Sequence, residues 1–184
     1  MDERCCVFLR GVNVNGIAIR MDALSEAFRL LGFSDVQTVL TTGNVVAFPP
    51  EGGAAASGLQ GRIEDALRSR FDYDAHVILR SGHELRALCS AAENVSVPED
   101  FHLYCLLTDG PDVPAELQRL FDAGPQLAGE RLLPLSEDAL WLVPKGSTLE
   151  SPFGAKVLGS KTYKIRLSSR NLNTIRKVAT AAGV

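Results

Sequence analysis

Histidine is scarce in this chain, and its three copies, His76, His83 and His102, never stand at H-x-x-x-H or H-E-x-x-H spacing, which would put two ligands on one helix face. His102 and Cys105, three apart on an expected strand, face opposite sides, so no metal site is expected. The four cysteines, Cys5, Cys6, Cys89 and Cys105, show no C-x-x-C pair, and the adjacent Cys5 and Cys6 would point to opposite faces of one strand. They read as buried free thiols. There is no G-x-S-x-G elbow, no G-x-G-x-x-G turn and no Walker loop, so neither nucleophile nor cofactor is indicated. The apolar run Cys5–Leu9 behind Met1-Asp2-Glu3-Arg4 is too short for a signal-peptide core or a membrane span, so a cytoplasmic protein is expected.

What is present is enough for a folded core. A chain of 184 residues that is 46% hydrophobic and 22% charged suits one large or two small globular domains rather than disorder. Its charge is unevenly divided. Residues 145–184 hold eight Lys/Arg against one acid (8 − 1 = +7), and residues 1–144 hold the remaining 11 against 21 (11 − 21 = −10), which hides inside an overall −3. Such asymmetry points to an anionic ligand, a nucleic acid, or the chain's own acidic half.

The hydrophobic periods give an element order. Arg4–Arg10 reads as a strand, and Met21, Leu24, Ala27, Phe28 and Leu31 repeat at helical spacing before Gly32, a candidate left-handed cap. Val36–Leu40 and Val45–Phe48 are extended around Thr41-Thr42-Gly43-Asn44, a hairpin signal. A flexible loop at 52–58 leads to a helix through Leu59, Ile63 and Leu67, then a strand at Ala75–Arg80. Ser81-Gly82-His83-Glu84 has the form of a capping box and opens a linking helix. The pattern then repeats: a strand at Phe101–Leu107, a Pro-initiated helix, strands at Arg131–Leu135 and Ala139–Val143, a short helix at Phe153–Leu158, and an alternating strand at Lys161–Leu167. The expected fold is α+β, two tandem ferredoxin-like (β-α-β-β-α-β) units with antiparallel sheets, over 1–81 and 82–184, closed by a helix from about Arg170.

In that closing helix Leu172, Ile175, Val178 and Ala179 form a core face, while Arg170, Asn173, Thr174 and Lys177 line another. With Ser168 or Ser169 as N-cap, Arg170 would join the free N–H groups of the first turn, an outline suited to phosphate or carboxylate; the same residues would also serve simply as a cap and an ion pair. Arg10-Gly11-Val12-Asn13-Val14-Asn15-Gly16 follows the first strand, and its glycines and asparagines make turns in any fold, but a guanidinium ending an apolar strand needs a partner or a ligand. The candidate anion site is therefore Arg10, Asn13, Gly16, Gly43, Asn44, Lys161, Lys164, Arg170, Asn171, Asn173 and Thr174. Tyr163, expected beside Ile165 and Leu167, and Trp141, between Leu140 and Leu142, read as core and not as base-stacking platforms.

Leu9-Arg10-Gly11-Val12-Asn13-Val14-x-Gly16, Met21 at a helix start, Thr42-Gly43-Asn44-Val45-Val46 and Ser169-Arg170-Asn171-x-Asn173-Thr174, in this order, resemble a bacterial family of uncharacterised proteins, domain of unknown function family sixteen-ninety-seven. The chain departs from that pattern at Asn15, Thr42 and Leu172, where Gly, Ser and Trp are usual. The resemblance implies an α+β fold and a cytoplasmic bacterial protein, and it lends no activity. Three readings stay open: a site for a phosphate-bearing small molecule such as a nucleotide, a nucleic-acid-binding strip, and an interaction or structural protein whose basic tail docks on its acidic half.

Overall fold

The computed structural model describes residues 3–12, 18–50, 57–146 and 148–184, with Lys164 described by its backbone only. Asn13, Gly16 and most of the 52–58 loop lie outside the described residues. The chain divides into two compact units, one of Met1–Ala87 with Arg176–Val184 and one of Leu88–Ile175.

In the first unit the elements are β1 (Cys5–Arg10), α1 (Met21–Leu30), β2 (Ser34–Val39), β3 (Asn44–Phe48), α2 (Leu59–Phe71) and β4 (His76–Ser81). The strands lie in the order β2-β3-β1-β4, every neighbour antiparallel. Alternation along the strands turns Cys5, Val7, Leu9, Val45, Ala47 and Val77 toward Leu24 and Phe28 of α1 and Ile63 and Leu67 of α2, one buried apolar cluster. Each large side chain fully buried there is worth about 1.5–3 kcal/mol. The α1 terminus shows how local sequence closes an element. Gly32 takes φ +90°, its N–H reaches Arg29 O, the N–H of Phe33 reaches Phe28 O, and the two rings meet edge-on at 5.1 Å. That is a Schellman end with its apolar contact.

The second unit repeats the order with β5 (Phe101–Thr108), α4 (Val113–Asp122), β6 (Arg131–Pro134), β7 (Asp138–Pro144), α5 (Pro152–Leu158), α6 (Lys161–Lys164) and β8 (Leu167–Asn171), its sheet running β6-β7-β5-β8, again antiparallel. Its core gathers Leu106, Leu117, Trp141, Val143, Phe153 and Tyr163. After each edge strand β4 and β8 comes a helix, α3 (Gly82–Glu93) and α7 (Leu172–Ala182). Both cross the division between the units, at Ala87/Leu88 and Ile175/Arg176.

Two local expectations are corrected. Lys161–Leu167 is not a strand: Ser160 Oγ accepts the Thr162 N–H at 3.1 Å and starts the short helix α6, and β8 begins only at Leu167. The closing helix starts at Leu172, close to the expected Arg170, but Ser168 and Ser169 do not cap it. Ser168, Ser169 and Arg170 belong to β8, and the cap is Asn171, whose Oδ1 accepts the Asn173 N–H at 2.9 Å.

Strand pairing aligns the two units residue by residue. Cys6 faces Arg80 and Val46 in the first sheet, as Cys105 faces Arg170 and Leu140 in the second. Arg80 and Arg170 behave alike, each donating from Nη1 to the carbonyl of the residue before it, Leu79 at 2.7 Å and Ser169 at 2.9 Å. Asn44 and Asp138 also correspond, each opening the third strand of its unit.

Candidate functional site

The expected site residues fall into two groups, one in each unit. Arg10, Gly43 and Asn44 belong to the first; Lys161, Lys164, Arg170, Asn171, Asn173 and Thr174 belong to the second. Asn13 and Gly16 lie outside the described residues.

In the first group, Gly43 has φ +72°, and a Cβ added to it would lie 2.9 Å from Leu9 Cβ and 3.2 Å from Val12 Cβ, so the hairpin backbone presses against the end of β1. The Leu9 N–H donates to its carbonyl at 2.8 Å. Asn44 is fully buried, and its Nδ2 donates to Val39 O at 2.8 Å and Thr42 Oγ1 at 3.0 Å. Both of its amide hydrogens thus hold the hairpin together. The equivalent Asp138 instead ties β7 to β5, its Oδ1 accepting the Thr108 N–H at 3.1 Å.

Arg10 ends β1 half-buried, and burial pushes its guanidinium down from the usual arginine range. Gly11 follows at φ +76°, and among the described residues nothing lies within 4 Å of a Cβ placed on it. The strand register sets His76, at the start of β4, directly opposite Arg10. His76 Nε2 stands 3.1 Å from Asp74 Oδ1, and its side chain is 16% exposed against 60% for the carboxylate. No sequence signal marks this pairing, because it joins residues 66 positions apart (76 − 10) that share no motif.

In the second group, Arg170 Nη1 donates to Ser168 Oγ at 2.9 Å as well as to Ser169 O. Asn171 caps α7, Asn173 and Lys161 are exposed, and Thr174 is half-buried. Arg166, from the same basic stretch, is ringed by acids: Nε is 3.1 Å from Asp109 Oδ1, Nη2 2.8 Å from Asp112 Oδ2 and Nη1 3.4 Å from Glu116 Oε2. The Asp112 carboxyl is held below its usual range by that hydrogen bond. Tyr163, reaching across from α6, donates its hydroxyl to Glu116 Oε1 at 2.5 Å, and burial followed by that bond pushes its phenol up to about 12.

Among the described residues no group of three or more His, Cys, Asp or Glu is arranged to hold a metal ion, and no helix is long and apolar enough to cross a membrane. Cys5, Cys6 and Cys105 are buried cysteines outside any disulfide, and Cys89 is half-buried.

A family model described as "Protein of unknown function (DUF1697)" matches residues 2–131. The chain belongs to that family. A solved structure, that of a conserved bacterial protein from Streptococcus pneumoniae, superposes with a TM-score of 0.78 at 19% identity, covering 99% of each chain. At that identity the DUF1697 chain and its neighbour share a fold, two four-stranded antiparallel sheets with a helix at the C-terminus, and the likeness carries no function. No curated protein matches the chain.

Proposed function

We propose that this DUF1697 chain is a cytoplasmic bacterial protein, built from two ferredoxin-like units, that binds a phosphate-bearing small molecule of the nucleotide class. The strand order shared by both sheets supports the ferredoxin-like reading. One observation carries the ligand reading: Arg10, a half-buried guanidinium at the end of an apolar strand, stands beside the positive-φ backbone of Gly11, where among the described residues nothing lies within 4 Å of an added Cβ. Desolvated guanidinium groups favour charge-assisted bonds to phosphate, and glycine lets an anion approach the backbone closely.

The basic tail is the weaker part of this reading. Arg166 is neutralised by Asp109, Asp112 and Glu116, all from residues 1–144, an observation that favours the internal-docking alternative for that stretch. A ligand panel separates the two readings. A nucleotide at a hundredfold excess over its dissociation constant stabilises the fold by about 2.7 kcal/mol, so one member should raise the thermal midpoint, and Arg10→Ala should abolish the shift. Oligonucleotides released between roughly 50 and 200 mM salt would favour a nucleic-acid strip instead. A flat panel with both ligand types would leave an interaction protein whose tail pairs internally.

A further inference from the structure

We infer that the free edge of β2 pairs with β2 of a second copy of this chain, in a two-fold antiparallel ribbon that joins the first unit's sheet to the same sheet of its mate. The inference goes beyond the phosphate reading and is independent of it.

The two units treat their outer edges differently. β2 and β6 are equivalent end strands, and among the described residues each pairs on one side only, β2 with β3 and β6 with β7. An end strand presents a row of unpaired backbone donors and acceptors, which proteins guard with short length, proline or charge. β6 has all three: it spans four residues, opens on the exposed Arg131 and ends on Pro134, which has no N–H to donate. β2 guards only its start. There the register with β3 slips between Ser34 and Gln37, Asp35 takes φ +47°, and its carboxylate is held by Arg4 of the same chain. Beyond that bulge, Val36-Gln37-Thr38-Val39-Leu40 runs without a charge, a proline or a glycine, and Leu40 is 42% exposed.

Charge on the neighbouring helix selects a second copy as the occupant. α1 lies against β2 with Leu24 and Phe28 buried, and at helical spacing Asp22, Ser25 and Arg29 share one flank of that buried face while Ala23 and Ala27 share the other. β1 and β2 run parallel, both antiparallel to the β3 between them, so β1-α1-β2 is a crossover of the right-handed kind. That hand turns the flank bearing Asp22 and Arg29 toward the free edge. The acid stands in the first turn of α1 and the base in its last. A two-fold axis at Thr38 reverses the helix of the second copy and sets each Arg29 beside the Asp22 of the other, a match that one copy supplies to another in both places at once.

Nothing on that flank opposes the match. Arg29 is exposed and makes no ion pair among the described residues, and Asp22 pairs with Arg20 through side chains 65% and 84% exposed, a surface contact that contributes little. Glu26, nearest the middle of α1, is already neutralised by Arg70 at 2.5 Å, so two acids do not meet at the axis. In the ribbon itself Gln37 faces Val39, Thr38 faces Thr38, and Leu40 lies beside Val36, pairs of the kind that stabilise antiparallel strands. The axis at Thr38 also leaves the Asp35 bulge outside the paired run.

The test is sedimentation of the full chain from micromolar to hundreds of micromolar, at low and at moderate salt. The parent should be dimeric at the upper end of that range, and more tightly so when salt is low. Leu40→Lys should raise the dissociation constant about tenfold, because the unfavourable pair it makes occurs twice across the axis. Arg29→Glu and Asp22→Lys should each weaken self-association by a similar factor, since each sets like charges together twice, whereas an equal mixture of the two should dimerise as tightly as the parent. Mixing does not rescue a variant that has merely misfolded. A parent that stays monomeric throughout overturns the inference and leaves the β2 edge to a strand from a different protein. A dimer that Leu40→Lys leaves intact, or a mixture no tighter than its components, overturns it as well.

Discussion

Glu130 accepts the indole N–H of Trp141 through Oε1 at 2.8 Å, with both residues buried in the second unit. The same oxygen accepts the Ser151 hydroxyl at 2.6 Å, and Oε2 accepts the Leu127 N–H at 2.8 Å, so one carboxylate joins the turn before β6, the central strand β7 and the cap of α5. Glu130→Ala takes the acceptor from two buried donors and one half-buried donor and should cost roughly 3 kcal/mol or more in urea unfolding. Glu130→Gln keeps one acceptor oxygen and should cost less.

Gly154 should tolerate no side chain. A Cβ there would lie 2.0 Å from Thr148 O and 2.7 Å from the Trp141 ring, and neither a strand-bound indole nor a backbone carbonyl can withdraw cheaply. Gly154→Ala is expected to destabilise by about 2 kcal/mol or more, read as a lower urea midpoint with unchanged slope.

Tyr73 behaves in the opposite way. Its hydroxyl is buried with no hydrogen-bond partner among the described residues, and burial, reinforced by Glu64, pushes its phenol up to about 12. Tyr73→Phe should therefore stabilise the chain by about 1 kcal/mol at neutral pH. In the folded state the phenol keeps its proton beyond the unfolded value near 10, so the unfolded chain loses protons first and stability falls as pH rises from about 10 toward 12. Tyr163, Cys5 and Cys6, all raised to about 12, act in the same direction. The Phe variant should show a shallower alkaline decline by about one proton.

The Arg166 cluster should weaken on the acid side. Its hydrogen bond depresses the Asp112 carboxyl, so the contribution is present above the unfolded value near 4 and drains away as pH falls through the lowered folded value. Wild type should exceed Arg166→Ala in thermal midpoint at neutral pH, and the gap should narrow steadily below about pH 4.

Thiol chemistry offers a direct check on the core. In the native state a thiol reagent should modify Cys89 first, while Cys5, Cys6 and Cys105 wait for unfolding, since burial holds the Cys5 and Cys6 thiols protonated.

Elements whose signal is local were legible in the sequence. Ser81 and Glu84 do form a reciprocal box, Glu84 N–H to Ser81 Oγ at 3.2 Å and Ser81 N–H to Glu84 Oε2 at 2.6 Å, and Gly32 closes α1 as its position suggested. Trp141 and Tyr163 are core residues, although Tyr163 gets there from a helix. Lys161–Leu167 misleads because seven residues alternating by chance fit a strand, whereas the Ser160 cap that decides for helix is one weak residue. The charge asymmetry was visible, but not its resolution. Asp109, Asp112 and Glu116 stand 50 to 57 residues from Arg166, and only the strand pairing brings them to it. The Arg10–His76 neighbourhood was hidden for the same reason.

Because the first compact unit takes in Arg176–Val184, its last strip of chain is made only after the whole second unit. During synthesis the amino-terminal half must wait, partly assembled, until its own closing segment emerges, with Val184 finally coming to rest against the start of α3 at Gly82. The order in which the two halves can finish folding is therefore the reverse of the order in which they are begun: trimming the last nine residues would injure the beginning of the protein, and the second unit would be complete before the first.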